Sequence, residues 1–130
     1  MDWLTLLWRL KFGRTPSWLA LYAAPVIALL IVVVSLYPFS HWRWPVDSLG
    51  AFLSYPLPYY MTRFDNIANI VLYFPLGLAL GLSLRKRHAL IKSIVRASLL
   101  CFLLSLSIEF VQQFLAERIA SNVDIMSNSL

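Results

Sequence analysis

Apolar residues gather in three long blocks, each about as long as a bilayer is thick. The first, residues 18–37, reads WLALYAAPVIALLIVVVSLY, with no charge and with Trp18 and Tyr37 at its ends. The second, residues 66–84, reads NIANIVLYFPLGLALGLSL; it too is uncharged, but its first turn is rich in amides. The third, residues 94–115, reads IVRASLLCFLLSLSIEFVQQFL, with Arg96 in its first turn and Glu109, Gln112 and Gln113 in its last two. A membrane-crossing helix needs roughly 20 mostly apolar residues, and Trp and Tyr favour the headgroup interfaces. The pattern predicts an all-α integral membrane protein with three transmembrane helices. Pro25 favours a kink in the first span, and Pro75 removes a backbone hydrogen bond from the second. Gly77 and Gly81 form a GxxxG pair, which lets a neighbouring helix come close.

The stretches between the blocks are predicted from their composition. Residues 1–17 form a cytoplasmic, interfacial segment in which Trp3, Leu7, Trp8 and Phe12 mix with basic residues. Residues 18–130 form the membrane domain. The first block is too long, and its upstream charges too distant, for a cleaved signal peptide. The loop after it is rich in aromatics, with Trp42, Trp44, Tyr55, Tyr59 and Tyr60 placed to lie on the headgroup layer. Residues 46–54 fit a short surface or re-entrant helix. Aromatic anchoring is the simpler role for this loop, and a sugar or lipid-headgroup site is the alternative.

Composition agrees with a membrane chain. Of its 130 residues, 60% are hydrophobic and 13% charged, against about 45–50% and 25% in soluble domains. A net charge of +5 points to nucleic acid only if the charges cluster on a soluble surface, and they do not. Arg9, Lys11 and Arg14 precede the first block, and Arg85, Lys86, Arg87, Lys92 and Arg96 lie around the second connection. Arg43, Arg63 and Arg118 fall on the other side. The excess marks the cytoplasmic side, so the N-terminus is expected there, in a multi-pass protein of the cell membrane. Cys101 lies in an apolar run and reads as a small buried hydrophobe. With two histidines it makes a poor metal set, and no cofactor is expected.

Polar residues inside a span need a reason, because a charge at the helix centre costs roughly 2.5–3.5 kcal/mol on insertion scales. Glu109 is the first such residue, about six positions before the predicted outer end and so roughly 9 Å deep. Gln112 and Gln113, three and four positions on, share its face, and Ser105 extends that face inward. On the second helix, Asp65, Asn66, Asn69 and Tyr73 form a matching stripe. If the two helices run antiparallel, Asn69 meets Gln112 and Tyr73 meets Glu109 at equal depths. Arg118 reaches Glu109 only if the chain turns after Leu115 and folds back; Asp65 and Asp124 are its nearer counter-ions. Polar groups of this kind glue membrane helices together at about 0.6–2 kcal/mol each, or they serve a site. Spacing alone leaves both open.

The motifs stand in a recognisable order. D-N-x-x-N-x-x-x-Y-F-P-L-G covers residues 65–77, a basic loop comes next, and S-L-S-I-E-F-V-Q-Q covers residues 105–113. Arg118 and V-D-I-x-x-N, residues 123–128, complete the series. This half of the chain resembles the VanZ-like family of bacterial membrane proteins, whose founding member is linked to low-level resistance to the glycopeptide teicoplanin. The resemblance carries over Asn66, Asn69, Pro75, Gly77, Glu109, Gln112, Arg118, Asp124 and Asn128; Asp124 and Asn128 rest mainly on it. It also implies a fourth membrane helix after the D-I-x-x-N element, whereas the sequence stops at Leu130, as expected of a truncated product, a fragment or a partial reading frame.

Three functions fit these residues. A non-catalytic envelope protein would bind a cell-wall precursor, a lipid or a glycopeptide at the outer face. An intramembrane enzyme would use Glu109 as acid or base on a lipid-linked substrate. A subunit of a membrane-protein complex would use the GxxxG pair and the polar faces for docking. Membrane lipids are partners in every case. Rhomboid-type and zinc-dependent proteolysis lack their motifs, G-x-S-G and H-E-x-x-H.

Overall fold

A computed structural model describes residues 17–54, 63–85, 90–116 and 120–129. Among them are four α-helices and no strand: α1 (Trp18–Leu36), α2 (Arg63–Ser83), α3 (Leu90–Gln112) and α4 (Asn122–Asn128). A 3-10 turn, Ala51–Ser54, lies in the loop after α1. Residues 1–16 of the predicted interfacial segment, Tyr55, Tyr59 and Tyr60 lie outside the described residues.

α1 begins at Ser17, whose hydroxyl accepts a hydrogen bond from the Ala20 N–H at 3.3 Å, a common N-cap arrangement. Its inward stripe mixes small and large residues: Ala20, Ala24, Ile31 and Leu36 are buried, with Ile27 and Ala28 packed beside the core. Its large side chains, among them Trp18, Leu19, Tyr22, Val26 and Leu29, face outward. The alanines at 20 and 24 let the helix backbones approach, as small residues do where lipid supplies the outer contacts. α1 and α3 are long and apolar enough to cross a membrane, while the apolar part of α2, Asn69–Ser83, is shorter.

α2 packs between α1 and α3. At one end the Ser17 N–H reaches the Leu82 carbonyl at 3.4 Å, and the Ser93 hydroxyl donates to the Leu84 carbonyl at 3.1 Å. The start of α1, the end of α2 and the start of α3 therefore meet, so neighbouring helices run antiparallel. Cys101 is buried and free.

The third helix departs from its predicted limits by nearly a turn at each end. Leu90 and Ile91 extend its start. Its last predicted residues are drawn off by the loop after α1: the Arg43 N–H donates to the Phe114 carbonyl at 2.8 Å, and the Ala116 N–H to the His41 carbonyl at 3.2 Å. The predicted helix over 46–54 shrinks to the single 3-10 turn, whose Phe52 is buried and which sits beside α4. Trp42 and Trp44 remain exposed, and Trp44 meets Phe114 edge-on at 5.8 Å.

Candidate functional site

Ser105, Glu109 and Gln112 recur at intervals of four and three on α3, and so share one face. All three are buried. Their surroundings are apolar helices, so each needs a partner. Gln112 finds one on α1: its Nε2 donates to the Ser35 carbonyl at 2.9 Å. Glu109 finds one beyond the end of its own helix, where the Ser121 N–H donates to its Oε2 at 2.7 Å. Ser105 takes a hydrogen bond from Asn128 Nδ2 at 3.0 Å and lies beside Tyr73.

These bonds explain α4. Ser121 is its N-cap, with the hydroxyl accepting from the Val123 N–H at 3.2 Å. The same residue's own N–H binds Glu109, and Asn128 at the other end binds Ser105. Seven residues span only about 10 Å as a helix, and both ends of α4 are tied to the polar face of α3. The chain thus turns after α3 and folds back into the bundle, which brings the C-terminal segment against Glu109.

The two long helices meet in a register different from the predicted one. Gly77 lies opposite Cys101, and Tyr73 opposite Ser105. Continued outward, this sets Asn69 level with Glu109, one turn away from the expected pairs Asn69–Gln112 and Tyr73–Glu109. The cause is the end of α3. With Gln112 as its last residue, Glu109 lies about 4–5 Å from the helix end rather than 9 Å. Gln113 consequently leaves the shared face. It stands in the turn, where its Oε1 accepts the Gly50 N–H at 2.9 Å.

A cleft of about 240 Å³ opens among α1, α2, α3 and α4. Asn69, Tyr73, Glu109, Gln112, Asp124 and Asn128 line it, beside Ser35. Six of the nine residues predicted for the polar cluster therefore share one wall. Arg118 and the side chains of Asp65 and Asn66 lie outside the described residues. Sequence reasoning missed Ser35 and Ser121: Ser35 acts through its carbonyl, which no pattern marks, while Ser121 opens an S-x-x-D capping signature that marks a helix start but not the bond of its own N–H to Glu109.

The described cleft is rich in acceptors. Glu109 and Asp124 bring carboxyl groups, and Asn128 Oδ1 is buried without a hydrogen bond from the described residues. Among the described residues no Lys or Arg lines it, and no third His, Cys, Asp or Glu joins the two acids to hold a metal. Such a wall suits a ligand that brings N–H or O–H donors.

A protein-family model described as VanZ/LLP1 matches residues 19–130. No curated protein and no solved structure gives a match.

Proposed function

The chain belongs to the VanZ/LLP1 family, and from that premise we propose that it is a multi-pass envelope protein with a non-catalytic ligand cleft at its outer face. α1, α2 and α3 cross the cell membrane, with the N-terminus in the cytoplasm. The cleft takes a donor-bearing group of a cell-wall precursor or of a glycopeptide, and so contributes to glycopeptide resistance, teicoplanin included.

The observation that carries this reading is a surface of large apolar side chains around an interior that holds polar ones. Ser93, Ser105, Glu109, Gln112 and Asn128 are buried, while Leu19, Leu29, Ile91, Leu99 and Phe102 lie exposed. Water penalises that arrangement on both counts, and a bilayer rewards it. The basic excess at residues 85–96 supports the orientation. It sets the cleft, which lies where α3 ends and α2 begins, on the outside.

Orientation is tested on the loop after α1. The cysteine introduced by Asp47→Cys, in an exposed position, is expected to react with a membrane-impermeant maleimide on intact cells. Reaction only after permeabilisation reverses the topology. The cleft is tested by Glu109→Gln in a susceptible host that gains teicoplanin tolerance from the wild-type chain. The amide oxygen still accepts from Ser121, so the protein is expected to accumulate normally while tolerance falls to the host's baseline. Tolerance equal to wild type would remove Glu109 from the site.

A further inference from the structure

The polar cleft adjoins an apolar groove. Tyr73 and Asn128 belong to its wall and also to the wall of a larger cavity between α2 and α3. That cavity holds about 390 Å³ and is lined by Ile70, Phe74, Gly77, Gly81, Ala97 and Cys101, among others. The volume falls in the roughly 300–1,000 Å³ of small-molecule sites. From Ile70 to Gly81 the groove runs along α2 for about 16 Å, close to half of a ~30 Å hydrocarbon core.

Small residues make the room. A Cβ on Gly81 would meet nothing within 4 Å, and one on Gly77 would meet only Cys101 Sγ at 4.0 Å. Of the GxxxG pair, Gly77 faces α3 and Gly81 faces the groove.

The second observation is at the junction. Asn128 is 6% exposed. Its Nδ2 is held by Ser105, but its Oδ1 accepts nothing from the described residues. A buried acceptor in that state calls for a donor. It stands where the apolar groove meets the acceptor-rich cleft.

We propose that groove and cleft form one site for a lipid amine. The hydrocarbon chain lies between α2 and α3, and the ammonium head donates to Asn128 Oδ1 and to the carboxyl groups of Glu109 and Asp124. This rests on the reading of the cleft as a ligand site, and adds that the ligand is an amphiphile held by both halves.

The test uses the full chain purified in detergent and a long-chain primary amine with a diazirine at mid-chain. Photolysis and peptide mass spectrometry then locate the adducts. The amine probe is expected to label residues 77–81 and 94–101. Gly81→Leu fills the groove and is expected to cut that labelling about tenfold, with an unchanged melting midpoint as the control for folding. Glu109→Gln removes a charge-assisted partner and is expected to cut it about tenfold as well. A probe of equal chain length without a headgroup is expected to label the groove poorly.

Labelling that survives Gly81→Leu overturns the proposal, because the chain then lies elsewhere. Equal labelling with and without the amine, indifferent to Glu109, also overturns it, since bulk hydrocarbon fills the groove. Either failure leaves the cleft to be judged by the tolerance assay. Loss of that assay's Glu109 effect would instead remove the underlying reading.

Discussion

Leucine at position 109 is expected to free α4 from the bundle, where glutamine would hold it. Leucine fills the same space but accepts no hydrogen bond, so the Ser121 N–H loses its partner. The change costs about 1–3 kcal/mol. α4 has seven residues, well short of the roughly 12–15 at which isolated helices become marginal. Its persistence depends on docking, and Glu109 and Ser105 hold its two ends. Hydrogen exchange of residues 121–129 reads the outcome directly. Glu109→Leu is expected to speed their exchange by about 5- to 150-fold, with Glu109→Gln close to wild type. Wild-type protection in the leucine variant would mean that Ser121 is held by something else.

The second large effect is expected at Ser105. This residue is 1% exposed and sits where α2, α3 and α4 converge. Its hydroxyl accepts from Asn128 Nδ2 and lies beside Tyr73. Ser105→Ala removes that bond and leaves the Asn128 amide buried without its acceptor, at about 1–3 kcal/mol. Ser105→Leu does the same and forces three further carbons into a filled space, which adds about 1–3 kcal/mol. Thermal unfolding in detergent should rank the midpoints wild type, alanine, leucine, in falling order. Equal midpoints for alanine and leucine would show that the site has slack, and that the helices meet less closely than the burial of Ser105 indicates.

The helices are legible in the sequence and the join between them is not. An uncharged block such as 18–37 predicts its helix to within a residue, because length and hydrophobicity alone determine it. The third block differs at both ends. Leu90 and Ile91 are as apolar as the helix interior, so composition offers no reason to exclude them. Phe114 and Leu115 are apolar too, yet they leave the helix for a turn whose main chain bonds to His41 and Arg43. That slip shifts the predicted pairing of Asn69 and Tyr73 by one turn. It does not scatter the cluster, since a face repeating every three or four residues survives a one-turn shift. Gln113 departs from its predicted face for the same reason, standing one residue past the true end.

Asp124 and Asn128 are legible only through the family resemblance. Nothing in their spacing says that the chain doubles back. The fold-back depends on a backbone N–H at Ser121 meeting a carboxyl group twelve residues earlier, and hydrophobic periodicity carries no trace of such a bond.

The seam between the first loop and the turn after α3 is made of main-chain atoms, those of His41, Arg43, Phe114 and Ala116. Amino-acid exchanges along it leave its bonds in place, provided positions 43 and 116 keep an N–H and position 41, whose φ is 58°, keeps a residue that tolerates the left-handed region. Evolution can therefore rewrite the rim at this end of the bundle, altering what the rim offers to the surroundings, while the backbone beside the cleft keeps its shape.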